Sequence, residues 1–185
     1  YYPSRYNALL NDEQRAFCHS IYQFKQGDIH GIEFFKTCMN ALQLKKRPYH
    51  IMFMPCSNWI KYGQRFKRLD WYIGKHRQDL TSGLYDVDIC DARESLHEAK
   101  GGEKRILERN YLITGNIKGK EIIIIDDVLT TGQSVADYKE EIERCGGKVV
   151  AAIFYGKTFS MPSMLLVQIH IWGNHIAHII ERMTK

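Results

Sequence analysis

Two adjacent carboxylates, Asp126 and Asp127, follow four consecutive isoleucines and precede a hydroxyl-rich bend, Thr130-Thr131-Gly132, with Ser134 just beyond. Carboxylates repel phosphate but accept hydrogen bonds from sugar hydroxyls, and the vicinal hydroxyls of a ribose match a pair of acids. The bend has the opposite preference. Over Val128, Leu129, Thr130, Thr131, Gly132, Gln133 and Ser134 it offers backbone N–H groups, three hydroxyls and one glycine that permits close approach. It also leads into a helix N-terminus, where free amides and the helix dipole favour an anion. Acids for a sugar beside a turn for a phosphate describe a site for ribose 5-phosphate. No GxxxxGK[ST] phosphate loop occurs anywhere in the chain.

These residues need a strand before them and a helix after them. The strand at 121–125 is apolar on both alternating faces after Glu121, as in a central strand covered on both sides. After Gly132 the spacing turns helical through Val135, Tyr138 and Ile142, and stops at Gly146-Gly147. Upstream, apolar residues at helical spacing predict helices over 8–26 and 31–45, broken around Gly27 to Gly31. A short apolar strand at 49–54 ends at Pro55, and a cationic helix with Phe66, Leu69 and Ile73 on one stripe follows. A strand near 84–90 precedes a polar loop around Gly101-Gly102. Strands at 148–155 and 165–171, then a helix capped by Asn174 and bearing Ile176, Ile179, Ile180 and Met183, complete the chain. Strands alternating with helices predict a mainly parallel α/β sheet.

The whole-chain totals narrow the class. At 185 residues and 44% apolar, the chain is the length of a single domain with a real core. A net charge of +5, with no run of five like charges, is explained as well by a phosphorylated small molecule as by nucleic acid. Cys18, Cys38, Cys56, Cys90 and Cys145 form no CxxC pair and read as reduced core thiols of a cytoplasmic protein. No apolar run is long enough to span a bilayer, so no membrane partner is expected. His170, His175 and His178 do not form a metal-ligand spacing.

The ordered stretch IIIIDDVLTTGQS, residues 122–134, resembles the PRPP-binding signature of the type I phosphoribosyltransferases, filling each of its places. That resemblance implies a three-layer α/β fold, a mainly parallel sheet flanked by helices, with a variable hood. Residues 1–46 would form a helical N-terminal or hood segment, 48–160 the PRPP-binding core, and 161–185 a C-terminal strand and helix. The implied reaction moves ribose 5-phosphate from PRPP to a nitrogenous base, releasing pyrophosphate. Mg²⁺ is the implied cofactor, held by PRPP itself and through water by Asp126 and Asp127, with no direct protein ligand.

By the same resemblance Asp126 and Asp127 are the catalytic pair that orients the ribose, and the 128–134 bend takes the 5′-phosphate. Ser57, Asn58, Lys61 and Arg65, after the first core strand, are expected on pyrophosphate. Lys104 and Arg105 are expected there from a lid that also carries Lys100. Lys157, with Tyr155 and Phe159 as stacking surfaces, is expected at the base. Type I enzymes are often homodimers, which makes a second copy an expected partner. MPCSNWIKYGQRFKRL resembles the layout of ComF-like members, although their RGFNQ-like run, an RxxN element and zinc-binding cysteines are missing. The fold is also used by regulators that sense PRPP or nucleotides without turnover. In that alternative the basic helix of residues 61–77 would grip nucleic acid.

Overall fold

The computed structural model describes residues 11–42, 48–90 and 109–158. The expected lid with Lys104 and Arg105, Phe159, the strand at 165–171 and the last helix lie outside the described residues. The elements in order are α1 (Asp12–Lys25), α2 (His30–Ala41), β1 (Tyr49–Phe53), α3 (Trp59–His76), β2 (Leu80–Ser82), β3 (Val87–Ile89), β4 (Tyr111–Ile113), β5 (Glu121–Leu129), α4 (Gln133–Arg144) and β6 (Lys148–Lys157). Four of the strands form one wholly parallel sheet in the order β2-β1-β5-β6, and β3 and β4 pair separately as an antiparallel ribbon. The α/β architecture expected from the alternating pattern is the observed one.

Two expectations need correction. The stretch 84–90 is not one strand: β2 ends at Ser82, a turn follows, and only Val87–Ile89 is extended again. The break has a steric cause. A Cβ at Gly83 would sit 2.6 Å from the buried His50 ring, so the chain must bend here on a residue without a side chain. Asp86 then reaches back to bond His50 at 2.7 Å, while Thr81 closes the other side of that ring, also at 2.7 Å. Burial lowers the His50 pKa below its ordinary value, and Lys120 adds to the effect. The second correction concerns the thiols. All five cysteines are free, but only Cys18 and Cys56 are buried, and Cys90 is exposed.

The period of two along each strand decides which side of the sheet a residue serves. On β1 the Phe53 ring stacks on Phe66 of α3, with centroids 4.8 Å apart. Phe53 lies beside Ile125 of β5, and Ile125 beside Ile153 of β6. Ile123, Ile125 and Asp127 therefore share the face covered by α1, α2 and α3. Ile122, Ile124 and Asp126 share the other face, where Gly147 lets Ile122 and Ile142 of α4 close over the sheet. Helices on both faces produce three layers. Phe66 is fully buried and meets Phe24 and Tyr62 as well as Phe53. Phe66→Ala is expected to cost about 3–5 kcal/mol, read as a lower urea midpoint with unchanged slope.

The strand order also fixes where a ligand can lie. From β1 the chain crosses outward to β2, and from β5 it crosses the opposite way to β6. A crevice opens beyond the carboxyl ends of two such neighbouring strands, because their connections diverge to opposite faces.

Candidate functional site

β5 continues further than the apolar run suggested: Asp126 and Asp127 lie within the strand, which ends at Leu129. The two acids therefore point to opposite faces of the sheet. Asp126 faces the α4 side and lines a small cavity of about 200 Å³ with Val128, Thr130, Gly132 and Ser134, beside Phe154. Phe154 was absent from the sequence reading. Its signal was its parity on β6, directly across from Asp126 in the register.

The bend has the backbone a phosphate cradle needs. Gly132, at φ 85°, is the N-cap of α4 and has no side chain with which to cap the helix, and the first turn carries no acid. Thr131 accepts a long contact from the Gln133 amide at 3.4 Å, and the Gln133 side chain is drawn along the helix to Asp137 at 2.7 Å. An alanine at position 132 would enter the left-handed region. Gly132→Ala is expected to cost about 1–2 kcal/mol in thermal stability and to weaken any anion bound in the cradle.

Asp127 looks the other way, toward the N-terminal helices. Lys25 at the end of α1 lies 3.2 Å from it, and Arg65 of α3 bridges both acids at 3.3 Å from Asp126 and 3.4 Å from Asp127. The Oδ2 atom of Asp127 is buried with no aligned hydrogen bond, so these contacts to it are ion pairs rather than directed bonds. Each acid also bonds backbone: Asp126 accepts from the Asp127 amide at 2.8 Å, and Asp127 from the Val128 amide at 2.7 Å.

The pair is electrostatically divided. Burial, then the Asp127 charge, pushes Asp126 up to about 7. Burial acts on Asp127 as well, but Arg65 and Lys25 more than offset it and hold that carboxyl below the usual range. One acid of the couple keeps its charge, and its neighbour exchanges a proton near neutral pH.

The residues expected on pyrophosphate are near one another but partly engaged. Asn58 caps α3 by accepting from the Lys61 amide at 2.9 Å. Lys61 Nζ is 3.4 Å from the Ser57 hydroxyl, at the exposed end of that loop. Arg65 is committed to the acid pair. Asn110, missed in the sequence, ties this loop down by donating to the Cys56 carbonyl at 2.8 Å across a large sequence separation. Burial raises the Cys56 thiol to about 11, which leaves it protonated.

The expected base platform is only partly assembled. Lys157 is exposed at the end of β6, beside Leu129 in the register. Tyr155, however, is not presented as a stacking face. Its parity sends it to the helical side, where its ring is packed by Phe34, Phe24 and Phe17 at 4.4, 5.2 and 6.3 Å. Among the described residues no group of three or more His, Cys, Asp or Glu could hold a metal, and no helix is long and apolar enough to cross a membrane.

Residues 78–158 match the family model of the phosphoribosyl transferase domain. An orotate phosphoribosyltransferase from Sulfolobus acidocaldarius is 42% identical over 57 residues, 30% of this chain and 26% of that protein. A transcriptional regulator, GfcR, from Methanocella arvoryzae is 30% identical over 98 residues, 53% of this chain and 38% of that one. The chain thus spans well under half the length of these relatives. A hypoxanthine-guanine phosphoribosyltransferase structure from Bacillus anthracis is 13% identical, covering 78% of this chain and 73% of that one with a TM-score of 0.35. β1, its following loop and α3 precede the matched segment, which contains the acid pair and the cradle. Over residues 78–158 the chain is similar to the phosphoribosyl transferase domain family.

Proposed function

We propose that the protein transfers ribose 5-phosphate from PRPP to a nitrogenous base, with pyrophosphate as the leaving group. The observation that carries this reading is the joining of Asp126 and the Thr130–Ser134 cradle in one cavity. Asp126, inside it, accepts a hydrogen bond from a ribose hydroxyl, while the cradle amides and hydroxyls take the 5′-phosphate. Asp127, on the opposite face, anchors Arg65 and Lys25, whose remaining N–H donors serve the departing pyrophosphate with Lys61 and Ser57. Lys157 is left for the base. The transition state gathers positive charge on the sugar, and the ionised acid offsets it.

The donor set suits Mg²⁺ in a limited way. Two carboxylates are hard oxygen ligands but do not form a cage, so the ion would be carried by PRPP oxygens, with Asp126 and Asp127 reached through water. Bound there, Mg²⁺ would neutralise charge on the leaving diphosphate. The test is purified protein with PRPP, Mg²⁺ and a panel of purine and pyrimidine bases, following pyrophosphate. Release with at least one base is expected.

A second reading is favoured by one observation, the ion pairing of both acids with Arg65, and of Asp127 also with Lys25, before any ligand arrives. A non-catalytic sensor would bind PRPP and release no pyrophosphate with any base; the GfcR relatives are named transcriptional regulators.

A further inference from the structure

Three consecutive residues at the start of β4 join the two ends of the candidate site. Arg109 donates to Glu141 of α4 at 2.6 Å, and the Tyr111 ring meets Tyr138 of the same helix edge-on, with centroids 5.3 Å apart. Asn110, between them, donates instead to the Cys56 carbonyl at 2.8 Å. This is the alternation of an extended chain, whose successive side chains leave on opposite sides. The Cys90 amide holds the strip in place by donating to the Asn110 carbonyl at 3.0 Å, one step beyond the β3–β4 ladder. One side of the strip therefore faces the helix that follows the cradle, and the other faces the loop after β1.

The bond to Cys56 fixes a peptide plane. Among the described residues no peptide is cis, so the C=O and N–H of the Cys56–Ser57 unit point in opposite directions. With the carbonyl turned inward to Asn110, the Ser57 N–H is turned outward, and the burial agrees: Cys56 is buried and Ser57 exposed. Without Asn110 this plane is free to rotate, and an outward carbonyl would set the negative end of its dipole against an arriving diphosphate. Resting on the phosphoribosyl-transfer reading of the site, we propose that Asn110 is a positioning residue for the diphosphate end of the donor. It holds the Ser57 N–H as a donor to pyrophosphate oxygens without touching the ligand itself. Arg109 and Tyr111, braced on α4, set the distance of that donor from the cradle that takes the 5′-phosphate.

The test is calorimetric binding to the full chain in Mg²⁺, with ribose 5-phosphate, inorganic pyrophosphate and PRPP as separate probes. Asn110→Ala is expected to weaken pyrophosphate and PRPP about tenfold, the effect of one lost hydrogen bond that leaves a carbonyl unpaired. Ribose 5-phosphate is expected to bind as in the wild type, because Asp126 and the cradle are untouched. Asn110→Asp keeps the size but sets a carboxylate against the Cys56 carbonyl, and is expected to behave like the alanine variant. A residue that served the fold alone would shift all three probes together or none. Far-UV circular dichroism checks folding, and if the alanine variant does not fold, the aspartate variant decides. Equal loss for all three probes, unchanged pyrophosphate affinity in Asn110→Ala, or full affinity in Asn110→Asp overturns the proposal. So does a wild type that binds ribose 5-phosphate but not pyrophosphate. A wild type that binds none of the three removes the reading of the site as well, whereas one that binds all three, with variants that do not discriminate among them, removes this proposal alone.

Discussion

Asp126→Asn combined with Asp127→Asn is expected to lower pyrophosphate release by about a thousandfold while leaving the protein folded. A hydrogen bond to a charged group contributes about 1.5–3 kcal/mol, and each 1.36 kcal/mol is tenfold in rate, so removing both acids spans about 10²- to 10⁴-fold. The pH profile separates their roles. Asp126 is the stronger acceptor for a hydroxyl, and offsets charge on the sugar, only when ionised, and its pKa is pushed up to about 7 by burial and by Asp127. Turnover at low PRPP is therefore expected to rise as pH passes through about 7 and to level off above it. Asp126→Asn alone should flatten that rise. A double variant that retains full turnover, or a wild-type profile flat from acid to alkaline pH, would remove the acids from the mechanism.

Arg65→Met is expected to lower stability by about 3 kcal/mol at pH 8 and by much less near pH 2, below the depressed Asp127 value, measured by urea denaturation. Removing one partner of a buried ion pair leaves an uncompensated charge, which costs about 3–5 kcal/mol. Arg65 is only 17% exposed and faces both acids, so solvent cannot take its place. The sign follows from the lowered pKa of Asp127, held down by Arg65 and Lys25 against burial. A depressed carboxyl contributes stability above its unfolded value and loses it as pH falls through the folded one. In acid, with both carboxyls protonated, Arg65 has no charge left to neutralise and the difference closes. Asp126 works in the opposite sense: its raised pKa favours the folded state at low pH and penalises it as pH rises through about 7. Asp126→Asn should accordingly melt higher than wild type at pH 8. An Arg65→Met penalty independent of pH would mean that lost packing, rather than charge, dominates.

How much of this was visible beforehand depends on the range of the interaction. The strand, the bend and the helix around IIIIDDVLTTGQS were legible because each rests on local chemistry: an all-apolar run, one glycine at positive φ, and helical spacing after it. The opposed directions of Asp126 and Asp127 were also implicit, but only once the strand is known to continue through them. Lys25 and Arg65 were beyond reach as partners of the acids, since α1 and α3 meet β5 only after the sheet forms. Tyr155 shows how a site reading fails: its position after a strand suggested a platform, but its parity committed the ring to three phenylalanines of α1 and α2. The β3–β4 ribbon was missed because three-residue strands carry almost no periodic signal.

The pairing of β1 with β5 has a kinetic consequence. His50 hydrogen-bonds in register with Ile122, so a strand made early waits for one made much later. Pairings between residues so distant along the chain close slowly, and ribosomes add only about 5–20 residues per second. During synthesis Tyr49–Phe53, buried at every position in the finished sheet, has its principal neighbour still unmade. The nascent chain therefore spends several seconds with a sticky edge whose main partner is not yet made, an opening for chaperone engagement during synthesis.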